Sequence, residues 1–233
     1  MKRDDVEIGL TVGVAVGHDS GIKHVSGRAA YVDDLPEPNG TLYAYIGQSA
    51  HAHARVSRIQ LHDVRAEPGV VAVLAAEDVP GENDISCIHA GDEPLFAKDL
   101  VQYVGQPLFA VIANTIDSAK AAARKAAIDY ELLEPILTID QAMQAKSFVL
   151  PPRTFRQGDP ERVLQSAPHR LTGSIATGGQ EHFYLEGQVS LAIPKEDGDV
   201  VILCSTQNPS EIQHVCARVL AVSDASVAVE VRR

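Results

Sequence analysis

The sequence predicts a mixed α+β (α/β) fold that combines short apolar strands with a smaller number of helices. Continuous apolar runs at residues 70–74 and 107–113 are typical of buried strands. The alanine-rich stretch 117–127 carries its basic side chains on one face, as a helix at a protein surface does. The sequence contains no internal repeat and no low-complexity tract, so each of these elements is unique in the chain.

The composition indicates a globular protein with an aliphatic core. Of the 233 residues, 45% are apolar, so a sizeable core can form in one or two domains. Tryptophan is absent and aromatic residues make up 5%, so valine, alanine, leucine and isoleucine must fill that core. The net charge of −11 disfavours nucleic-acid binding, because that function needs a basic surface.

The cysteines and the amino terminus indicate a cytoplasmic protein. Cys87, Cys204 and Cys216 are widely spaced without a Cys-x-x-Cys pair, so neither a zinc site nor an iron–sulfur cluster is predicted in this chain. Their odd and sparse count fits a reducing compartment. The residues from Met1 to Asp5 turn acidic without a signal-type apolar core. No apolar run approaches the ~18 residues of a membrane span, so no membrane partner is expected.

The spacing of apolar residues predicts the strands and helices before residue 133. Three short strands are predicted before the run at 70–74, at residues 27–32, 42–46 and 55–61. One helical turn is predicted at 75–80. Strand 107–113, helix 117–127 and an alternating strand at 128–132 then predict a βαβ-like unit. No glycine-rich fingerprint joins its first strand to its helix, so nucleotide binding is disfavoured there.

Three groups of side chains in this half have metal-binding chemistry, and none has a complete ligand set. The adjacent carboxylates of Asp33 and Asp34 lack further oxygen ligands, so turn capping is favoured. His51 and His53 would face one side of an extended segment, but no third ligand lies nearby. Surface or partner contacts are favoured for the polar loop 81–106. That loop contains Cys87, His89, Asp92 and Glu93.

Prolines and lost periodicity divide the chain. We predict a first domain at 1–140, a linker at 141–157 and a second domain that begins at 158 and runs to 233. In the second domain, Asp159 and Pro160 predict a helix start. Further predicted elements are a strand at 171–175, a hairpin whose strands are alternating residues 189–193 and apolar residues 200–206, a helix at 209–221 and a strand at 227–231.

The stretch 178–209 contains the candidate site. Gln207 lies on the turn that leaves the strand beginning at 200 and enters the helix beginning at 209. Asn208 is a good N-cap, Pro209 suits the first helical position, and Glu211 follows three residues after the cap. A helix start favours anions and oxo groups, and the Gln207 amide adds a donor beside it. The simpler interpretation is a polar turn that only caps the helix.

Two blocks of this stretch resemble a known family. Residues 178–186 are Gly-Gly-Gln-Glu-His-Phe-Tyr-Leu-Glu, and 205–209 are Ser-Thr-Gln-Asn-Pro. Together they resemble the large subunit of bacterial xanthine dehydrogenase, in the molybdenum hydroxylase family, with aldehyde oxidases as close relatives. The resemblance implies an α/β hammerhead domain at 1–140 and the start of a molybdenum-cofactor-binding domain at 158–233. It also implies that Gln207 lies beside an oxo ligand of the molybdenum centre, whereas no catalytic role is carried over to Gln180, Glu181 or His182.

The resemblance implies a complete enzyme that is larger than this chain. That enzyme hydroxylates hypoxanthine and xanthine at a molybdenum–molybdopterin centre, with a glutamate as base, and passes electrons through iron–sulfur clusters and FAD to NAD. The expected partners are the remainder of the large subunit and a small iron–sulfur/FAD subunit, in a hetero-oligomer. The family's catalytic glutamate would follow residue 233, so this chain contains no predicted catalytic or metal-binding residue and is expected to be inactive alone.

Two alternatives stay open from the sequence. The first is a relative with another substrate, such as an aldehyde oxidase or a nicotinate-type hydroxylase. The second is a non-catalytic fragment that acts as an assembly module. The form of the two motif blocks favours the purine substrate.

Overall fold

The computed structural model of the protein describes residues 13–232. Within that range, nine strands form three sheets, and helices connect them in the predicted α+β mixture. The strands are β1 (Tyr43–Gln48), β2 (Ala54–Gln60), β3 (Val70–Ala75), β4 (Leu100–Val101), β5 (Pro107–Ala113), β6 (Ala127–Leu132), β7 (Ser190–Pro194), β8 (Val200–Cys204) and β9 (Val227–Glu230). The α-helices are α1 (Gly21–Val25), α2 (His62–Arg65), α3 (Ile116–Ala123), α4 (Ile139–Ala145), α5 (Pro160–Ser166) and α6 (Pro209–Leu220).

The first two sheets are antiparallel and share one hydrophobic core. Their strand orders are β1–β5–β3 and β4–β2–β6. Strand β5 is central in the first sheet, and its residues Leu108, Phe109 and Val111 are almost fully buried. Helix α3 packs against this sheet, and its Ala119 and Ala122 are fully buried. Because alanine side chains are small, these positions let the helix backbone come close to the strands.

The third sheet has the order β7–β8–β9 and contains one parallel pair. Strands β7 and β8 form the predicted antiparallel hairpin. Strand β9 pairs parallel with β8, and α6 makes the connection between them. The unit β8–α6–β9 is therefore a βαβ unit. Its core contains Ile202, Ala217 and Val227, and residues 209–220 form the predicted helix.

The predicted βαβ-like unit at 107–132 is wrong. Strand β5 pairs with β1 and β3 of the first sheet, whereas β6 pairs antiparallel with β2 of the second. Helix α3 ends at Ala123, earlier than predicted, because the chain already pairs with β2 from Ala127 onward. The apolar period of a strand does not specify which sheet it joins.

Other differences concern segments with weak patterns. The strand predicted at 27–32 is absent, and a 3₁₀ turn at Val32–Asp34 follows this segment. The strand predicted at 171–175 is also absent, because no described strand lies beside it to accept its backbone hydrogen bonds. Strand β4 lies in the loop 81–106 and was not predicted. Helix α4 begins after its N-cap Thr138 and overlaps the start of the predicted linker.

The connection that follows α4 is irregular. Residues 146–159 contain neither helix nor strand, and their side chains are exposed. Between residues 13 and 232, no helix combines the length and apolar character that crossing a membrane requires.

Limited trypsin digestion tests whether this connection separates two folded parts. Among lysines and arginines between residues 43 and 220, we expect the first cuts at Lys146, Arg153 or Arg156, because exposed irregular backbone fits a protease site. Arg170, which is exposed in irregular chain, should follow closely. Mass spectrometry of the early fragments identifies the cuts. First cleavage inside 107–132, which contains β5, α3 and β6, would contradict a domain boundary at this connection.

Candidate functional site

The site is organised by the turn between β8 and α6. Strand β8 ends at Cys204, and α6 begins at Pro209 in the first helical position. The side chain of Asn208 accepts a hydrogen bond from the backbone N–H of Glu211 (3.2 Å), and its amide donates to the Glu211 carboxylate (2.8 Å). The predicted N-cap is thus confirmed. This arrangement fixes the direction of α6 and places Gln207 at the carboxyl end of β8.

An open cavity of about 430 Å³ lies at this turn. One wall is the turn itself, a second is the end of the motif block 178–186, and a third comes from the first part of the chain. The residues that line the cavity are Tyr31, Tyr184, Leu185, Glu186, Gln188, Ser205, Thr206 and Gln207. The structure therefore brings Gln207 together with residues 184–186 of the motif block, whereas Gly178 to Phe183 do not line this cavity.

Glu186 connects the cavity to the first part of the chain. Its Oε1 accepts a hydrogen bond from the backbone N–H of buried Val32 at 2.9 Å. Val32 begins the 3₁₀ turn that follows Tyr31, so this bond also places Tyr31 at the cavity. Tyr31 was not predicted as a site residue, because Tyr31 lies more than 150 residues before Glu186 and only folding brings the two together.

Two serine and threonine hydroxyls in the cavity wall already have partners. Ser205 Oγ donates to the carbonyl oxygen of Gly187 (2.8 Å) and accepts from the backbone N–H of Val189 (3.3 Å). Thr206 Oγ1 accepts from the backbone N–H of Asn208 (3.1 Å). These bonds hold the turn and use the donor of the Ser205 hydroxyl, whereas the Thr206 hydroxyl keeps its hydrogen for a further acceptor.

Gln207 supplies the side-chain amide of this wall that is available to a ligand. The side-chain amide of Gln188 donates to the Tyr184 hydroxyl at 2.8 Å. Gln207 is exposed, and its side chain has no hydrogen-bond partner among residues 13–232. An amide donor beside the start of a helix favours an acceptor that carries negative charge. The cavity is therefore suited to an oxygen-rich, anionic group on the Gln207 side.

Two cysteines behind the turn are structural. Burial raises the pKa of Cys204 at the end of β8, and the nearby charge of Glu186 raises it further. Burial is also the main cause of the raised pKa of Cys216 on α6. Both thiols therefore stay protonated at neutral pH, which makes them poor nucleophiles and poor metal ligands.

The disfavoured metal candidates do not form a site in the described part of the chain. No group of three metal-ligating side chains occurs between residues 13 and 232. The Asp34 carboxylate caps the 3₁₀ turn by accepting from the backbone N–H of Tyr31 at 2.9 Å, as predicted. His53 Nδ1 lies 2.8 Å from the carbonyl oxygen of Glu134, and the His51 ring packs edge-on against Tyr130.

Two family models match the sequence in succession. Residues 26–134 match the model described as the a/b hammerhead domain of aldehyde oxidase and xanthine dehydrogenase. Residues 142–233 match the molybdopterin cofactor-binding domain. The first range contains the first two sheets, and the second contains the third sheet with Gln207.

Relatives of known name are similar over nearly the whole chain. Xanthine dehydrogenase/oxidase of Gallus gallus is 40% identical over 224 residues, which are 96% of this chain and 16% of that protein. Aldehyde oxidase 4 of Cavia porcellus is 41% identical over 224 residues, which are 95% of this chain and 16% of that protein. The chain thus spans a small part of the length of these relatives.

Solved structures share the fold at lower identity. Quinoline 2-oxidoreductase from Pseudomonas putida 86 superposes with a TM-score of 0.80 and 24% identity, over 94% of this chain and 30% of that one. Aldehyde oxidoreductase from Desulfovibrio gigas gives a TM-score of 0.79 and 23% identity, over 92% of this chain and 26% of that one.

Proposed function

Because the chain belongs to the aldehyde oxidase and xanthine dehydrogenase family of molybdenum hydroxylases, we propose that it is the N-terminal part of a xanthine dehydrogenase large subunit. It contains a hammerhead domain followed by sequence of the molybdopterin-binding domain. We place the hammerhead at 1–140, the linker at 141–157 and the cofactor-binding part at 158–233. The meeting of motif residues 184–186 with the unpartnered Gln207 amide at one cavity, at the start of α6, supports this proposal.

The residues at the cavity fit an anionic cofactor. Glu186 is the one acidic side chain of the lining, and the N–H of Val32 already binds its carboxylate. Gln207 and the start of α6 supply uncommitted donor capacity at the same cavity. The molybdenum–molybdopterin group supplies the two-electron chemistry when it is bound.

The chain's own contribution to the mechanism is positioning. Gln207 would donate its amide N–H to an oxygen of the bound cofactor, and the bonds between Asn208 and Glu211 keep the turn in place for that contact. Because the donor needs no rearrangement during the reaction, it stabilises negative charge where that charge develops. No residue of this chain is assigned a proton-transfer role.

The proposed substrate is a purine, hypoxanthine or xanthine. The form of the motif blocks at 182–187 and 205–209 supports this choice. An aldehyde substrate is the second candidate, because an aldehyde oxidase is as similar to the chain as a xanthine dehydrogenase is. We further propose that a small subunit with iron–sulfur clusters and FAD passes the electrons to NAD, in a cytoplasmic hetero-oligomer.

Substrate-dependent reduction of the purified, assembled protein tests the proposal. The protein should contain about one molybdenum per copy of this chain. Under anaerobic conditions, xanthine should reduce the protein, and so bleach its absorbance, faster than an aromatic aldehyde does at equal concentration. Faster reduction by the aldehyde would support the second candidate, and absence of molybdenum would contradict both.

The 233-residue chain alone should hold far less than one molybdenum, because its open cavity offers few donors. Stoichiometric metal in that chain would contradict the expected dependence on the rest of the subunit.

A further inference from the structure

Residues 81–93, here called the bracing loop, approach helix α6 at its carboxyl end. The backbone N–H of Gly81 donates to the carbonyl oxygen of Val219 (2.9 Å), and that of Glu82 donates to the carbonyl oxygen of Arg218 (3.2 Å). The first bond satisfies a carbonyl group of the last helical turn, and the second adds to the bond that the Arg218 carbonyl oxygen accepts from the backbone N–H of Ala221. A Cβ at Gly81 would lie 2.1 Å from the Arg218 carbonyl oxygen, so only glycine permits this approach.

The side chain of Arg218 continues the contact. Its Nε and Nη2 donate to the carbonyl oxygen of Asp84 at 3.2 and 3.0 Å, and Nη2 also donates to the carbonyl oxygen of Ser86 at 2.9 Å. The guanidinium is partly buried, whereas Glu82 is exposed and 3.9 Å away, so the carbonyl oxygens are its main partners. A planar fork of donors suits two neighbouring carbonyl groups better than a lysine would.

The bracing loop is ordered by its own hydrogen bonds. The carboxylate of Asp84 accepts from the backbone N–H groups of Ser86 and Gly91, both at 2.9 Å, and from the Ser86 hydroxyl. These bonds, first that from the hydroxyl, lower the pKa of Asp84. Asn83 exchanges two hydrogen bonds with the backbone of buried Phe96 (2.8 and 2.9 Å). The loop is therefore a rigid support that is attached to the first domain.

The middle of the loop approaches the start of α6. The exposed Cys87 thiol lies 3.5 Å from the carbonyl oxygen of Ile85, and a hydrogen bond with the Glu211 carboxylate is the main cause of its raised pKa, against the lowering effect of the Arg218 charge. Glu211 and Arg218 are seven residues apart and share one face of the helix, about 10 Å along its axis. Glu211 in turn binds the side chain of Asn208, the neighbour of Gln207. The loop thus runs along α6 from its last turn to the turn that carries Gln207.

We propose that the bracing loop of the first domain holds α6 in place and thereby positions Gln207, with Arg218 as the positioning residue of this contact. The inference about the loop and the helix depends only on the contacts above. The consequence for Gln207 rests on the proposed function. Arg218 touches neither the cavity nor a substrate, so it acts through the helix.

Two readouts that need no enzyme activity test the brace. In the purified protein, Gly81→Ala should raise the rate of Cys87 alkylation by iodoacetamide severalfold. Arg218→Ala should raise it less, because loss of the guanidinium also removes a charge that lowers the thiol pKa. Freed from Glu211, the thiol loses the interaction that raises its pKa. Deuterium uptake in the peptide 205–212 should also rise, because the start of the helix loses its support. Buried Cys204, read from its own peptide, should stay slow to label and report that the sheet remains folded.

Matched variants separate the brace from general destabilisation. Arg162→Ala removes another arginine, whose partner Asp159 lies on the surface, and should change neither readout. Arg218→Lys should restore part of the protection, because an ammonium group can bind one carbonyl. Unchanged Cys87 labelling and unchanged deuterium uptake in both Arg218→Ala and Gly81→Ala would overturn the brace.

A double-mutant cycle tests the link to Gln207 in the assembled enzyme. Arg218→Ala should lower kcat, and adding it to Gln207→Ala should cause no further loss, because it acts through the same residue. Independent, multiplying losses would overturn the positioning role. If Gln207→Ala itself leaves kcat unchanged, the proposed role of Gln207 fails, and the labelling and exchange measurements still decide the brace.

Discussion

Replacing Gln207 by alanine is expected to lower kcat of the assembled enzyme on the order of 10²-fold while its molybdenum content stays unchanged. The physical reason is the unpartnered amide, which the turn before α6 holds at the cavity. We expect the loss in the transition state to exceed the loss in cofactor binding, because a large anionic cofactor needs many convergent donors. Gln207→Glu should be worse than Gln207→Ala, because it replaces a donor with a negative charge.

Gln188 supplies the matched control for this experiment. It lines the same cavity and has the same side chain, but its amide is already bonded to the Tyr184 hydroxyl. Gln188→Ala should therefore change kcat much less than Gln207→Ala. If Gln207 were only a turn residue, its loss would cost about 1 kcal/mol of stability and leave kcat alone. Equal kcat values for Gln207→Ala and the wild type would support that simpler interpretation.

Replacing Phe109 by alanine is expected to destabilise the protein by about 3–5 kcal/mol. Phe109 is 2% exposed on the central strand β5, and its ring lies over Gly47 of β1 in the neighbouring position of the sheet. A Cβ at Gly47 would lie 2.1 Å from the ring, so Gly47→Ala alone should cost about 1–3 kcal/mol through overpacking.

The two changes should couple. In the Phe109→Ala background the ring is gone, so Gly47→Ala should cost clearly less than in the wild type. Urea unfolding with a constant slope measures each free energy of unfolding. Val71→Ala on strand β3, where the side chain is 55% exposed, should change the stability by no more than about 0.5 kcal/mol and serves as the control. An equal cost of Gly47→Ala in both backgrounds would contradict the described packing.

Local signals predicted the elements that local chemistry determines. The sequence Asn208-Pro209 with Glu211 predicted the start of α6, because an N-cap and its partner lie within one turn of each other. Strands β3 and β5 were both predicted as buried strands from continuous apolar runs; β5 is buried, whereas Val71 and Leu74 of β3 are exposed. Gln207 was placed correctly on the turn between strand and helix by the same kind of local signal. Its proximity to the cofactor stays a prediction.

Nonlocal pairing explains most of what the sequence did not predict. The assignment of β5 and β6 to different sheets depends on partners that lie far away in the chain. Residues 171–175 have the pattern of a strand, but a strand also needs a neighbour for its backbone groups. Tyr31 at the cavity and Arg218 at the bracing loop are further examples, because their contacts join residues more than 100 positions apart.

The side-chain amide of Gln207 is proposed to donate a hydrogen bond to the molybdenum cofactor. A crystal structure of the assembled, cofactor-loaded enzyme measures this most directly, as the distance between the Gln207 side-chain nitrogen and the nearest cofactor oxygen. We expect a hydrogen bond of about 2.7–3.2 Å with α6 oriented as it is in the present structure. A separation well beyond hydrogen-bonding distance, with the Gln207 amide directed into solvent or bonded only to protein, would contradict it.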